Sequence, residues 1–258
     1  MALDVIVTRP SIERDTPPII LVHGAWHGAW CWTEHFTGFL ADEGHTSYAI
    51  DLRGHGNSPG QLRTTRIAHY VADVRRVAIE MRGEPVLIGH SMGGYVVQHY
   101  LATYRARAGV LMATVPSHGA ILATLRVALK YPGAFVRANA TWSLGPIVDD
   151  PKRAALLLFG TRLQRADVDR YTSRVQDESY LAFLEMILDR PDPRKVLDPV
   201  LVVGAAEDAL FSPYEIERTA EDYRSAAIIF DDIGHDMMLD AGWERPARTI
   251  VEWIDNLA

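Results

Sequence analysis

The chain has 258 residues, of which 48% are hydrophobic and 23% charged, and its formal net charge is −7. This length fits one α/β domain with an insertion, and the composition excludes an intrinsically disordered chain, a coiled coil and a collagen-like fibre. The 26 lysines and arginines are scattered along the chain, which argues against nucleic acid as a partner, and the single cysteine, Cys31, excludes an intramolecular disulfide and thiol redox chemistry.

Neither the first ten residues nor the apolar runs suggest a targeting or membrane segment. The first ten residues lack the basic stretch and apolar run of a signal peptide. The apolar runs elsewhere are far shorter than the roughly 18 residues of a membrane-spanning helix. We therefore expect a cytoplasmic protein without a membrane span, whose oligomeric state the sequence leaves open.

Six short apolar runs predict the strands of a sheet. In chain order they are residues 19–22, 48–50, 86–88, 110–112, 200–203 and 227–230. They do not alternate polar and apolar residues, which is typical of strands buried on both faces of a parallel sheet. Helical spacing between and after them is found at residues 32–41, 67–81, 95–104 and 247–257. This alternation predicts an α/β fold, a mostly parallel sheet with helices on both faces.

The alternation is interrupted once, between residues 119 and 197. No strand is predicted there, and proline and glycine residues separate several short helices. We expect a helical cap, or lid, over a core formed by residues 1–118 and 198–258. Large side chains that either line a pocket or pack the cap onto the sheet are Phe135, Trp142, Phe159, Tyr171, Tyr180, Phe183 and Met186.

Ser91 is the candidate nucleophile. It lies in Gly89-His90-Ser91-Met92-Gly93, directly after one predicted strand and before a predicted helix. A serine at such a turn takes a strained backbone conformation, and the flanking glycines let the helix approach the strand. The hydroxyl is then held above the sheet. We interpret Ser91 as a catalytic nucleophile, against the alternative of an ordinary turn serine.

A serine nucleophile needs a base, most often a histidine. On this architecture the acid and then the histidine follow the serine along the chain. Among the histidines after Ser91, His235 lies just past the last predicted strand. His99 falls inside a predicted helix, and His118 precedes any plausible acid loop. His235 is therefore the predicted base.

The acid that orients the base is expected in the loop after residues 200–203. Catalytic groups collect beyond the carboxyl ends of parallel strands, and this loop contains Glu207 and Asp208. We prefer Asp208 and keep Glu207 as its competitor. Asp231 and Asp232 lie close to the end of the last strand and are interpreted as exposed turn carboxylates.

Acyl chemistry also needs donors for the developing oxyanion. The predicted donors are the backbone N–H of Met92, which follows the nucleophile, and that of Ala25, in the loop after the first predicted strand. Trp26 is then expected to face the substrate pocket. His23 and His27 are expected to fix this loop by hydrogen bonds.

The motifs taken together resemble those of the α/β-hydrolase superfamily. They are, in order, His23-Gly24-Ala25-Trp26, residues 51–58 (DLRGHGNS), residues 89–94 (GHSMGG), Asp208 and Gly234-His235. The resemblance implies the α/β-hydrolase fold and a Ser-His-Asp triad. It does not define a substrate, since the superfamily includes esterases, lipases, lactonases, C–C hydrolases, perhydrolases and lyases. In the second motif Arg53, His55 and Asn57 are expected to fix the loop beneath the site.

Residues 23–32 (HGAWHGAWCW) look like the methylesterase and hydroxynitrile-lyase branch, whose members act without cofactors on small esters or cyanohydrins. The lyases carry Thr where this chain has Gly24, and Lys where it has Asp236. A cation that would stabilise departing cyanide is therefore missing. Ser91 also stands where epoxide hydrolases and haloalkane dehalogenases carry Asp.

We therefore expect a serine hydrolase that uses no cofactor or metal and cleaves small to medium apolar carboxylic esters through an acyl-enzyme. Its partner would be a small-molecule ester. Two alternatives remain open at this point. One is a lactonase or C–C bond hydrolase with the same triad, and the other is a ligand receptor on this fold that does not turn its ligand over.

Overall fold

The computed structural model describes residues 2–12, 14–81 and 83–257. Its centre is a seven-stranded sheet in the order β1-β3-β2-β4-β5-β6-β7, with β1 antiparallel to β3 and the other neighbours parallel. The strands are β1 (Val5–Thr8), β2 (Ile19–Val22), β3 (Ser47–Ile50), β4 (Val86–His90), β5 (Ala108–Met112), β6 (Val200–Ala205) and β7 (Ala227–Phe230). The predicted α/β class with a mostly parallel sheet is confirmed.

All six predicted strands are present, and β1 is an additional one. The central strands β2, β4 and β5 are buried along their whole length, which is why each appears in the sequence as a continuous apolar run. In β1 the two middle residues, Ile6 and Val7, are exposed. This strand lies at the edge of the sheet and pairs on one side only. Its sequence contains an apolar run of three residues, Val5 to Val7, which the sequence analysis did not interpret as a strand.

Twelve α-helices are found in the described residues. They are α1 (Trp30–Thr33), α2 (Phe36–Asp42), α3 (Ile67–Ile79), α4 (Met92–Leu101), α5 (Ile121–Lys130), α6 (Pro132–Thr141), α7 (Gly145–Val148), α8 (Pro151–Leu158), α9 (Arg165–Thr172), α10 (Tyr180–Leu188), α11 (Pro213–Asp222) and α12 (Glu244–Asp255). Helices α5 to α10 all lie between β5 and β6. None of the helices in these described ranges is long and apolar enough to span a membrane.

The bounds of all four predicted helices differ from the structure, by up to three residues at the ends of α3 and α12. The helix predicted over residues 32–41 is divided into α1 and α2. Helix α4 begins at Met92, three residues before the predicted start, because Gly93 and Gly94 belong to the helix and not to the turn. A Cβ on Gly93 would lie 2.2 Å from the backbone oxygen of Val22. Glycine is therefore required where α4 approaches β2.

We expect Gly93→Ala to lower the free energy of unfolding by about 1–3 kcal/mol or more, because the added methyl group meets backbone that has no room to move. Gly38→Ala is the matched control. Gly38 lies within α2, and a Cβ there meets nothing within 4 Å. This control should leave stability unchanged or raise it by up to about 1 kcal/mol. Urea unfolding followed by circular dichroism measures both, and equal effects of the two substitutions would contradict the prediction.

Candidate active site

The turn between β4 and α4 holds Ser91 in a backbone conformation that is unusual for a residue with a side chain. Its φ is 53° and its ψ is −117°. The Ser91 N–H donates to the Met112 oxygen at 3.0 Å, and the Ser91 oxygen accepts from the N–H groups of Tyr95 and Val115, both at 3.2 Å. These bonds connect the turn to α4 and to β5 and its following loop. The surrounding structure thus imposes the strained conformation.

Ser91, His235 and Asp208 form one hydrogen-bonded chain. The Ser91 Oγ lies 2.9 Å from His235 Nε2, and His235 Nδ1 lies 2.8 Å from Asp208 Oδ2. The other carboxylate oxygen of Asp208 accepts from the backbone N–H groups of Leu210 and Phe211, at 2.7 and 3.0 Å. The loop after β6 therefore fixes the carboxylate, and the carboxylate in turn orients the imidazole. The structure brings these three sequence-predicted side chains together.

The electrostatics of His235 suit a proton acceptor. Burial disfavours the charged imidazolium, but the charge of Asp208 and its hydrogen bond outweigh burial, and Asp236 adds to the effect. The pKa of His235 is therefore raised above its ordinary value. A histidine in this state accepts a proton from a hydroxyl more readily than an isolated buried histidine would.

The other candidate acids have different partners. Both side-chain oxygens of Glu207 bond to Thr161, with the Thr161 N–H donating at 2.8 Å. Asp232 pairs with Arg162 at 3.1 Å and is exposed. Of the two alternative histidines, His99 lies on α4 against the ring of Tyr95. The structure thus places Asp208 at the imidazole and turns Glu207 towards the segment between β5 and β6.

The predicted oxyanion donors lie beside the serine. Ala25, Trp26 and Met92 line the same cavity as Ser91. Trp26 has a φ of 68°, its oxygen accepts from the Gln176 N–H at 2.8 Å, and its indole N–H donates to the Leu144 oxygen at 3.3 Å. The turn at Trp26 is thus held by two residues from the segment between β5 and β6.

Gly24 allows this turn to approach the serine. A Cβ at Gly24 would lie 2.8 Å from His90 Nδ1 and 3.0 Å from Ser91 Cβ. His23 fixes the same loop, since its Nδ1 lies 2.8 Å from the Gly24 oxygen and its Nε2 accepts from the Leu52 N–H at 3.2 Å. Burial lowers the pKa of His23 well below its ordinary value, so it is neutral, as this donor and acceptor pair requires.

The loop of residues 51–58 is held by polar contacts. Arg53 donates two hydrogen bonds to Asp73, at 2.8 and 2.6 Å. His55 Nε2 lies 3.0 Å from Glu178 Oε2. Burial alone would lower the pKa of His55, but this carboxylate outweighs burial, and the pKa is raised. Glu178 is buried and lies just before α10. Sequence reasoning missed it, because nothing local distinguishes it from a surface acid.

An apolar cavity of about 80 Å³ opens beside Ser91. The segment between β5 and β6 supplies much of its wall, including Phe135, Tyr180, Phe183 and Met186. The other three large side chains that the sequence predicted to line a pocket or to pack the cap do not line this cavity. Trp142 is 55% exposed, and the rings of Phe159 and Tyr171 pack together with centroids 5.8 Å apart.

Sequence reasoning missed other residues of this wall, namely Asn139, Leu144, Ile147, Leu210 and Phe211. Leu210 and Phe211 directly follow the predicted acid, and that adjacency is a signal that was available. Asn139 is the polar member of this set. Its Oδ1 accepts from the Tyr180 hydroxyl at 2.6 Å, and its Nδ2 donates to the Phe135 oxygen at 2.7 Å.

One group of side chains in the described part of the chain combines metal-ligand chemistry with suitable spacing. It consists of His90, His235 and Asp236, whose donor atoms lie within 4.8 Å of one another. Both nitrogens of His235 already bond to Ser91 and Asp208. A metal ion bound by His235 would break that chain, so this cluster does not fit a metal centre.

Comparison with known proteins agrees with the architecture. The alpha/beta hydrolase family model matches residues 19–252. Norfluorocurarine synthase 2 of Strychnos is 35% identical over 146 residues, which cover 55% of this chain and 50% of that protein. Methyl jasmonate esterase 1 of Vitis vinifera is 37% identical over 89 residues, 33% of this chain and 34% of that protein. The chain thus spans half or less of the length of these two relatives.

A solved structure extends the similarity to the full length. The monoacylglycerol lipase of Paleococcus ferrophilus has a TM-score of 0.76 and 24% sequence identity, with all of both chains covered. At this identity the likeness concerns the fold. The family match covers most of the chain and includes all the motifs described above. The chain therefore belongs to the alpha/beta hydrolase family.

Proposed function

We propose that this chain is a serine hydrolase that cleaves small to medium apolar carboxylic esters. The observation that carries the proposal is the hydrogen-bonded chain from Asp208 through His235 to the Ser91 hydroxyl, which ends at an apolar cavity. The family match and the esterase among the relatives support ester chemistry. That the protein is cytoplasmic stays a prediction from the sequence.

The proposed reaction uses His235 first as a base and then as an acid. His235 Nε2 takes the proton of the Ser91 hydroxyl as Oγ attacks the ester carbonyl. The N–H groups of Ala25 and Met92 bind the oxyanion, and His235 then protonates the departing alcohol. Water activated by the same nitrogen releases the acid and frees Ser91. Asp208 holds the imidazole and stabilises its charged form, so protein groups and water suffice.

The segment between β5 and β6 would act as the cap of this enzyme. In this proposal residues 119–197 form the cap and residues 1–118 and 198–258 form the core that carries the catalytic groups. The cap supplies Phe135, Phe183 and other apolar side chains to the cavity wall, opposite Trp26 of the core. An apolar wall favours apolar acyl or alcohol groups, because it offers few partners to a polar ligand.

Ser91→Ala should lower kcat/KM for p-nitrophenyl esters by about 1,000-fold or more, because the nucleophile is lost. The substrates are the p-nitrophenyl esters of acetate, butyrate, octanoate and laurate. The small cavity predicts a higher kcat/KM of the wild type for the short acyl chains. Ser225→Ala is the control and should keep full activity, because Ser225 lies between α11 and β7 and its hydroxyl donates to the neighbouring Ala226 oxygen.

Mass spectrometry after treatment with a fluorophosphonate gives a second readout of the same assignment. The wild-type protein should gain one adduct, at Ser91, and the Ser91→Ala variant none. Full activity in Ser91→Ala would contradict the nucleophile. Failure of the wild type to react with the probe, with esters or with lactones would favour a receptor that does not turn its ligand over.

Asp208→Asn should lower kcat by about 1,000-fold to 10,000-fold, because an amide no longer holds the productive tautomer of His235. The matched variant is Glu207→Gln, which changes the neighbouring acid whose oxygens bond to Thr161. It should retain nearly full kcat. Steady-state kinetics of the two variants decide between the acids, and the reverse result would assign the role to Glu207.

The pH profile of kcat/KM should follow His235. The base must be neutral, so activity falls as pH falls through its pKa, and that pKa is raised above its ordinary value. We expect the midpoint of the acid limb to lie above about 6.5, the value of an ordinary histidine. Asp208 is the main cause of the raised pKa, so residual activity of Asp208→Asn should show a lower midpoint. A wild-type midpoint well below 6 would contradict this assignment.

A further inference from the structure

A second histidine and carboxylate lie directly beneath the proposed catalytic chain. Asp236 follows His235 in sequence, and its side chain is fully buried and outside the cavity lining. Its Oδ2 lies 3.0 Å from Nε2 of His27, which is equally buried and belongs to the loop that carries Ala25. Its Oδ1 lies 3.6 Å from Nε2 of His90. The carboxylate thus stands between two histidines that the proposed mechanism does not use.

His27 reaches two different loops through its two ring nitrogens. Its Nδ1 lies 2.7 Å from the Ala25 oxygen, and because a carbonyl oxygen only accepts hydrogen bonds, Nδ1 is the donor. Its Nε2 lies 3.0 Å from the carboxylate of Asp236. We therefore assign His27 as the side chain that connects the turn at Ala25 to Asp236.

The remaining groups around the pair agree with this assignment. Burial would raise the pKa of Asp236, but the charge and hydrogen bond of His27 outweigh it, and the pKa is lowered. His90 is neutral, because burial and nearby charge lower its pKa to about 3. Its Nε2 lies 3.0 Å from the His235 oxygen and serves as the donor there.

Each member of the pair is attached to a different half of the site. His27 bonds to the Ala25 carbonyl, in the turn whose N–H is the proposed oxyanion donor. Asp236 adjoins His235, and its own N–H donates to the Leu158 oxygen at 2.7 Å. A buried ion pair is a weak source of stability, because desolvation opposes the attraction. Its directional contacts, by contrast, define the distance between the two loops that it joins.

We propose that His27 and Asp236 are positioning residues, whose buried contact sets the oxyanion turn at Ala25 relative to the imidazole of His235. Neither residue touches the substrate. The inference rests on the proposed function, since it concerns the alignment of groups that act in ester hydrolysis. It also gives Asp236 a role that its position next to the catalytic histidine did not reveal in the sequence.

The test compares Asp236→Asn and His27→Gln with Asp232→Asn. Asp232 lies on the same loop with a φ of 58°, which asparagine tolerates, and its carboxylate forms an exposed pair with Arg162. Turnover of p-nitrophenyl acetate is expressed per site titrated with the fluorophosphonate, so unfolded molecules do not count. Both pair variants should lose about tenfold to a hundredfold in kcat, with KM within about twofold, and the control should match the wild type.

Two further readouts distinguish positioning from a purely structural role. The charge of Asp236 raises the pKa of His235, so Asp236→Asn should move the acid limb of the pH profile to lower pH. The groups that face His235 are Asp208, Ser91, His90 and Asp236. Asp236 itself faces His27, His90 and the Cys31 thiol.

The double variant of His27 and Asp236 is the second readout. It should lose no more kcat than the worse single variant, because the two residues act as one unit.

The wild-type protein provides a measurement that does not depend on any variant folding. Nitrogen-15 spectra of the labelled histidines should show a proton on Nδ1 of His27, the nitrogen that donates to the Ala25 carbonyl, identified through contact with Ala25. A His27 without a proton on Nδ1 would overturn the inference. So would pair variants that have lower melting temperatures but unchanged kcat per titrated site and an unchanged pH profile.

The outcomes also separate this inference from the proposed function. If the wild type neither hydrolyses esters nor reacts with the fluorophosphonate, the proposed function fails, and the nitrogen-15 spectra still report on His27. If the wild type is active and the pair variants keep its kcat, the positioning role alone fails.

Discussion

Ser91 is held at a φ of 53°, a conformation unfavourable by about 1–3 kcal/mol for a residue with a side chain. Three backbone hydrogen bonds, to Met112, Tyr95 and Val115, hold it there. Because α4 starts directly after the serine, the hydroxyl emerges at the carboxyl edge of the sheet. The loops after β6 and β7 open at the same edge, which is how Asp208 and His235 reach the serine from distant parts of the chain.

The buried histidines around this turn differ in pKa because their neighbours differ. His23 bonds to backbone groups alone, and burial lowers its pKa. Burial also lowers the pKa of His90, whose partner is a carbonyl and whose distance to the Asp236 carboxylate is 3.6 Å. Burial acts on His235 in the same direction, but Asp208 at hydrogen-bonding distance outweighs it, and the pKa of His235 is raised.

The sequence predicts most of this architecture. Strands buried on both faces appear as apolar runs, and the missed edge strand β1 also contains one, although its two middle residues are exposed. Ser91, Asp208 and His235 follow from their order along the chain and from their places at strand ends. Pairs such as His27 with Asp236 lack such a signal. Each residue looks like an ordinary loop residue until the fold joins two loops that are far apart in sequence.

The segment between β5 and β6 contacts the core mainly through its second half. Gln176 donates its backbone N–H to the Trp26 oxygen, and its side chain bonds to the backbone of Gly54 and Gly56. Glu178 binds His55 in that same loop. These contacts lie just before α10 and connect it to the turn at Trp26 and to the loop of residues 51–58.

The first half of that segment has a different relation to the site. Helix α6 contributes Phe135 and Asn139 to the cavity wall, while Val136 on the same helix is 65% exposed. Leu144, which follows α6, belongs both to this wall and to the residues that hold Trp26, but through different atoms. It lines the cavity, and its backbone oxygen accepts from the Trp26 indole N–H. Because the segment holds Trp26 through backbone atoms of Leu144 and Gln176, the side chains of the wall are free to change without removing those contacts. One arrangement of polar groups is therefore compatible with different cavity shapes in a family that shares the fold.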